Sequence, residues 1–480
     1  MPPSDPHTII PPGPNCTPRH KPRVQLGRAA RGRVGTLVDR AGTAALREGQ
    51  VAADVARVQA TRQRGRAAPG GPGAAGAPLG ITAGFVSTAA PPSEAEAGGG
   101  GNNTAAAPDA AAERRRAGAP RRTLRRYELQ DTARALLPGH RIGNCQVTPT
   151  GGMVAINHHP EFGSASYGGL QTCGSMWACP VCAAKIGARR AEEVGAGAAS
   201  WRARGGHIYM LTLTLRHNAG QALHALHAHM NAAYRKVGQG SRWKLAVARW
   251  GIIGRITARE HTHGSNGWHP HLHVLIFSTD DLSAKLGEVE SWFNRRWRDE
   301  LAKLGEEASE ERGTHLREAD DGAEDYIAKL ASAWSVPGEV AGGQYKEARA
   351  GNSTPVQLLD RAGHGDELAG ALYAEYVEAT AGTSWLQWTP GLRALVGLVE
   401  ELSDEEIAAE EREDATPLVV LTAPQWKAVC GHKLRGQLLA EACHGDGEYL
   451  AGWLLLRSIE IEPWQLEHSF KGVRTKGTSP

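Results

Sequence analysis

Nowhere does this 480-residue chain carry an apolar run approaching the roughly 20 residues that a membrane-spanning helix needs, and no signal-peptide pattern opens it. No membrane partner is expected, and the expected location is the cytoplasm. Cysteine is scarce: seven residues, an odd number, three of them crowded into ten positions, which suits metal binding in a reducing compartment better than a disulfide framework. Neither sign of charge predominates, since 54 Lys and Arg face 51 Asp and Glu for a net charge of +3, so overall charge identifies no partner. Aromatic residues are almost missing from residues 1–118, where Ala, Gly, Pro and Arg dominate. Such a stretch buries too little apolar surface to offset the entropy of ordering, and a disordered arm is expected there. Internal repeats are absent too, as are long carboxy-terminal helicase motifs.

What is present is unevenly spread. Basic residues cluster at Arg114 to Arg116, Arg121 to Arg126, Lys185 to Arg190 and at Arg295, Arg296 and Arg298, while acids gather between Glu400 and Asp414. That asymmetry fits a nucleic-acid surface in the middle of the chain. Three regions are expected after the arm: a cysteine-containing segment over 119–205, alternating strands and helices over 206–360, and a helical region over 361–480. Strand signals are strong at His207 to Arg216, where Leu211, Leu213 and Leu215 alternate with threonines, and at Gly267 to Phe277. Helical patterns cover Ala183 to Arg202, Ala219 to Val237 and Glu367 to Thr380, and Ser403 with Glu406 has capping-box spacing.

The segment from Gly267 to Phe277 carries the most chemistry. Alternate residues of a strand share a face, so His269, His271 and His273 project together while Leu272 and Val274 point away. Ile252 to His263 reads as a second strand, and Gly264-Ser265-Asn266-Gly267 as a tight turn joining the two. With Ser265 and Asn266 as the turn residues, Glu260 falls directly across from His271 on the same face. A slip of one residue turns Glu260 to the other side. Two imidazoles and a carboxylate suit Mg²⁺ or Mn²⁺ assisting phosphoryl chemistry, with His269 able to replace either partner.

Cys173, Cys179 and Cys182 offer three thiolates, and Cys145 is the nearest fourth for a tetrahedral zinc site, with His140, His158 or His159 as possible replacements. Trp177-Ala178-Cys179-Pro180-Val181-Cys182 also fits a thioredoxin-type redox pair, a reading in which Cys173 has no use. Cys430 and Cys443 read as ordinary buried thiols.

The ordered set of a strand ending Leu211-Thr212-Leu213-Thr214, then His271-Leu272-His273, then Tyr326-Ile327-Ala328-Lys329 resembles the replication initiators of Gram-positive rolling-circle plasmids, within the His-hydrophobic-His (HUH) endonucleases. The resemblance spans roughly residues 120–400. It implies an α+β fold built on a ferredoxin-like antiparallel sheet, with a helix-borne nucleophilic tyrosine beside a metal site. It carries over His271 and His273 as metal ligands and Tyr326 as the nucleophile. Such an enzyme nicks single-stranded origin DNA, keeps the 5′ end on the tyrosine and leaves a 3′-hydroxyl primer for host helicase and polymerase. Tyr326 and Lys329, three apart on an expected helix, share a face, so Lys329 stands ready to stabilise the phenolate or grip a phosphate. Relatives often carry a second tyrosine directly after the lysine, where this chain has Leu330, so termination is expected to use water, with Asp321, Glu324 or Asp325 as the acid nearby. Phosphate contacts are expected from Arg295, Arg296, Lys346 and Arg349, and base stacking from Trp243, Trp250, Trp292 and Trp297. A single-tyrosine transposase or relaxase shares this chemistry, and a zinc-containing DNA-binding regulator is the non-enzymatic alternative.

Overall fold

The structure is a computed structural model describing residues 113, 116–319, 352–398, 401–412 and 414–466. The expected arm therefore lies almost wholly outside the described residues. Eight strands are described: β1 (Met153–His159), β2 (Ser164–Gly168), β3 (His207–Thr214), β4 (Ile252–Gly264), β5 (Gly267–Ser278), β6 (Thr314–Glu318), β7 (Leu386–Trp388) and β8 (Thr416–Thr422). The helices up to the middle of the chain are α1 (Ala119–Leu136), α2 (Pro180–Ala203), α3 (Leu223–Val237), α4 (Gly240–Trp250) and α5 (Leu286–Ala302). Beyond them come α6 (Pro355–Gly363), α7 (Glu367–Thr380), α8 (Leu392–Leu395), α9 (Asp404–Ala409), α10 (Ala423–Gly431), α11 (Arg435–Ala442) and α12 (Gly447–Leu455). No helix among the described residues is long and apolar enough to cross a membrane.

The larger sheet is antiparallel with strand order β6-β3-β5-β4-β7, flanked by helices, which meets the α+β expectation. Its centre is the β4–β5 hairpin. Gly264 pairs with Gly267, leaving Ser265 and Asn266 as the two turn residues. Gly267 has φ +83°, and a Cβ there would stand 2.9 Å from the Asn218 carbonyl oxygen, so both backbone handedness and space demand glycine. Helix α3 turns Leu223, Leu226 and Met230 into the core, as its periodicity requires. It begins four residues later than expected because Asn218 accepts a hydrogen bond from the Gly220 amide and forms a local turn first. Helix α5 buries Val289, Phe293 and Trp297, each large side chain worth about 1.5–3 kcal/mol relative to exposure.

A smaller three-stranded sheet, order β2-β1-β8, joins the cysteine-containing segment to the carboxy-terminal region. That region is mostly helical as expected, but the helical pattern did not anticipate two strands in it, β7, which joins the larger sheet, and β8 at Thr416–Thr422. Its short apolar run, Leu418 to Leu421, is buried between Val154, Ile156 and Trp426. Arg435, at the start of α11, reaches α1, where it bonds Gln130 and Asp131. Capping boxes open α6 at Thr354 with Gln357 and α9 at Ser403 with Glu406.

Candidate functional site

The β4–β5 register sets Glu260 opposite His271, with Ala258 opposite His273. Side chains directly across a ladder share a face, and here three converge. Glu260 Oε2 lies 2.9 Å from His273 Nε2 and 3.5 Å from His271 Nδ1. One ligand atom from each of the three lies within 4.8 Å of the others, the spacing of a group able to hold a metal ion. His271 Nε2 is buried and lacks a hydrogen-bond partner, a polar atom left over by the protein's own bonding. Burial opposes ionisation of Glu260, yet hydrogen bonds from His271 and His273 outweigh it and hold the carboxyl well below its usual range. Burial lowers His273 as well, against the pull of Glu260, so its imidazole is neutral and has a lone pair to offer.

Two neighbours complete this face. Thr212 of β3 pairs with His273, and its hydroxyl lies 3.2 Å from His273 Nδ1. Thr212 belonged to the sequence motif, but its bond to the histidine needed the β3–β5 register to appear. His269 stands beside the three-residue group, outside it: its ring meets His271 at 4.1 Å and His217 at 4.5 Å. Burial, with His271 and His217 adding, pushes His269 down to about 4.

Behind the site, Arg259 and His261 flank Glu260 in sequence and point to the opposite face. Arg259 bonds Asn231 of α3 and the Ser384 carbonyl, and His261 Nε2 lies 3.1 Å from His227 Nδ1 of α3. Nothing in the sequence pattern singled out these side chains.

The four cysteines meet in a buried cluster: Sγ to Sγ distances are 3.7 Å for Cys145–Cys179, 3.5 Å for Cys145–Cys182 and 3.7 Å for Cys173–Cys182. A tetrahedron with metal–sulfur bonds of about 2.3 Å has edges of about 3.8 Å, so the cluster fits a four-thiolate metal centre. Two of the thiols are placed by helix ends. Cys145 follows the short turn Arg141–Asn144, Cys179 caps α2, and Pro180 occupies the first helical position, where its missing N–H does no harm. Burial opposes ionisation of Cys179, but bonds from the other three thiols and the Cys182 amide lower it well below the usual thiol value. Gln130 Nε2 also donates to Cys179 Sγ at 3.2 Å, and Gln130 is held by Arg435. His159 is engaged elsewhere, with Ser166 and Asp414, so Cys145 rather than this histidine completes the set.

The expected stacking surface is not one. Trp250 and Trp297 are fully buried, while Trp243 and Trp292 pack against each other and against Phe293. Their spacing along α4 and α5 is that of core positions. Arg296 bonds Glu300 and the Lys236 carbonyl, tying α5 to the end of α3. Arg242, Arg249 and Arg298 face Asp299, Glu288 and Glu310. Arg295 is exposed. Tyr326, Lys329, Lys346 and Arg349 lie outside the described residues, as do Asp321, Glu324, Asp325 and Leu330.

Residues 169–295 match the model of a family described as replication protein. A relative named "Protein rep", from Streptomyces lividans, is 29% identical over 350 residues, which cover 58% of this chain and 76% of that protein. A "Neomycin resistance protein" from Streptomyces cyanogenus is 33% identical over 139 residues, 24% of this chain and 32% of that protein. No solved structure matches. The family match contains Cys173, Cys179, Cys182, Glu260, His271 and His273.

Proposed function

We propose, from this chain's similarity to a family described as replication protein and to "Protein rep", that it initiates rolling-circle replication by nicking one strand of origin DNA and holding the new 5′ end on Tyr326. The observation that carries the reading is the convergence of Glu260, His271 and His273 on one face of the β4–β5 hairpin. One carboxylate and two imidazoles form a donor set suited to Mg²⁺ or Mn²⁺, which would supply a Lewis acid to a phosphate oxygen.

The phenolic oxygen of Tyr326 attacks the scissile phosphorus, and the bond from phosphorus to the 3′ oxygen breaks. The phenol gives up its proton to water as it attacks, and the 3′ oxygen takes one up from water and becomes the primer hydroxyl. A phenol ionises near pH 10, so the nucleophile needs a cation beside it, and Lys329 provides one. The phosphotyrosine ester retains the energy of the broken bond, which lets the protein rejoin ends without a nucleotide. With Leu330 in place of a second tyrosine, release proceeds by water, with Asp321, Glu324 or Asp325 as the acid nearby. Arg295, Lys346 and Arg349 hold backbone phosphates, and in the cytoplasm a host helicase unwinds the duplex while a host polymerase extends the primer.

The four-thiol cluster of the 119–205 segment binds Zn²⁺ in a structural role, since sulfur ligands at this density favour a soft ion over Mg²⁺. Its edges, close to those of a zinc tetrahedron, and the hydrogen bonds around Cys179 support that assignment over a redox pair.

Incubating the protein with origin-derived single strands and Mn²⁺, then resolving the products on a denaturing gel, tests the proposal. A covalent protein–DNA adduct that disappears in Tyr326→Phe is the expected result. Persistence of the adduct in that variant removes Tyr326 from the chemistry, and absence of any adduct in the parent leaves a zinc-containing DNA-binding regulator.

A further inference from the structure

Strand β6 borders β3 at the edge of the larger sheet, pairing His315 with Thr212 and Arg317 with Met210. Thr212 pairs on its other side with His273. Residues opposite one another across a ladder share a face, and so do residues two apart along a strand. Arg317 therefore rises from the same face as Glu260, His271 and His273. Its strand is two positions from β5, about 10 Å at roughly 4.8 Å per strand.

Among the described residues Arg317, like Arg259, has no carboxylate partner, but Arg259 is buried and spends its guanidinium on Asn231 and the Ser384 carbonyl. Arg190 and Arg296 are half-buried as Arg317 is, Arg393 and Arg435 are buried, and each of the four engages a carboxylate. Arg317 instead donates to the Met210 sulfur at 3.3 Å and to the Glu318 carbonyl at 3.3 Å, with no carboxylate partner among the described residues. A thioether is a weak acceptor, so most of the five guanidinium donors are left for something else. The bond to Glu318 lies on the exposed side, so the fork is open to a phosphate in place of water.

We propose that Arg317 is a phosphate subsite, its guanidinium gripping a backbone phosphate of the single DNA strand laid across the histidine face. The planar fork matches two phosphate oxygens at once, which a lysine does not reproduce. This rests on the DNA-nicking reading for its ligand, but not on the nicking chemistry.

The test measures binding of full-length protein to fluorescent origin-derived single strands by anisotropy, without added Mg²⁺ or Mn²⁺, so that no cleavage intervenes. Arg317→Ala is expected to weaken binding roughly ten- to hundredfold and to reduce the dependence of log K on log salt by about 0.7, the loss of one phosphate contact. Arg317→Lys should keep most of the salt dependence and recover only part of the affinity. Strands carrying a single neutral methylphosphonate are then scanned: one position should weaken binding by the parent, and that same position should have no effect on Arg317→Ala. Should the alanine variant misfold, the scan is repeated with Arg317→Lys, in which the penalty at that position should shrink. Parent-like affinity and salt slope in Arg317→Ala, or an unchanged penalty at every position in both variants, would overturn the proposal. A missing adduct alongside a position-specific penalty defeats the nicking reading alone, whereas adduct formation with an indifferent Arg317→Ala defeats this one alone.

Discussion

Trp177, in the loop between Cys173 and Cys179, meets His261 edge to face at a centroid distance of 5.8 Å, and His261 is the residue beside Glu260 on β4. The same indole donates to the Thr383 carbonyl at 2.6 Å, one residue before the Ser384 carbonyl that accepts from Arg259. Both chain neighbours of Glu260 are thus held from behind by side chains and loops that lead back to the cysteine cluster. The loop that carries Cys173 and Cys179 braces the strand that presents the carboxylate.

Emptying the thiol cluster of the zinc proposed for it should therefore be felt at the other site. A Cys179→Ser/Cys182→Ser variant is expected to lose about one equivalent of zinc and several degrees of thermal stability, because structural zinc contributes directly to folding. Trp177→Leu separates bracing from folding: zinc content stays at the parent level while Mn²⁺ binding, followed by the electron paramagnetic resonance of free Mn²⁺, weakens several-fold. Unchanged Mn²⁺ affinity in Trp177→Leu would show that the two centres are independent.

Thr212 should matter to metal affinity although it binds no metal. Neutral His273 donates from Nε2 to Glu260 at 2.9 Å and so accepts the Thr212 hydroxyl proton at Nδ1. When Nε2 is needed as a ligand, the proton moves to Nδ1 and the hydroxyl becomes the acceptor. Valine has the shape of threonine and neither capacity. Thr212→Val is expected to weaken Mn²⁺ binding about tenfold or more, with Thr212→Ser close to the parent. Equal affinities for Val and Ser, measured by titration calorimetry, would contradict this role.

The hairpin was readable in advance because a two-residue turn leaves only one pairing, and Glu260 opposite His271 followed by counting. The four cysteines were readable for a similar reason: few residue types bind metal, and three of them fell within ten positions. What stayed hidden depended on contacts between distant segments. Arg259 and His261 are ordinary polar positions until α3 brings Asn231 and His227 against them. The tryptophans of α4 and α5 interleave with arginines in a way that suits a DNA surface equally well, and only packing against Phe293 distinguishes core from platform. Strand β8 was concealed because a run of four apolar residues has no period of its own.

Acid should destabilise the fold through the imidazole pair behind the site. His227 and His261 stack with ring centroids 5.1 Å apart, and burial, followed by Arg259, pushes His227 down to about 4 from 6.5. A depressed histidine contributes stability that is fully present above the unfolded value and lost as pH falls through the folded one. The window is thus pH 6.5 to about 4, with a contribution on the order of 3 kcal/mol from this residue. Burial and His227 lower His261 further, in the same sense. Urea midpoints taken between pH 7 and pH 4.5 should fall for the parent and fall less steeply for His227→Gln. Parallel curves would mean that His227 does not titrate between the two states.

The turn that sets the register offers a sharper test, because Gly264 and Gly267 bracket the same two residues for different reasons. Gly267 has φ +83°, and an added Cβ would press on the Asn218 carbonyl and the Ala219 backbone at 2.9 Å. An alanine there is strained by its own backbone by about 1–2 kcal/mol before the clash is counted. Gly264 has no positive φ, and its Cβ would press on the side chain of Asn352, which can rotate away, and reach the Asn352 Cα at an ordinary 3.6 Å. Gly267→Ala is therefore expected to lower the melting temperature by several degrees and Gly264→Ala by much less. The larger consequence is geometric. If the hairpin relieves the strain by slipping one residue, every side chain of β4 changes face, and Glu260 leaves His271 and His273. Mn²⁺ binding should then fall in Gly267→Ala by more than its remaining folded fraction explains, whereas a variant that melts early but binds Mn²⁺ with parental affinity when folded would show that the register is fixed elsewhere in the sheet.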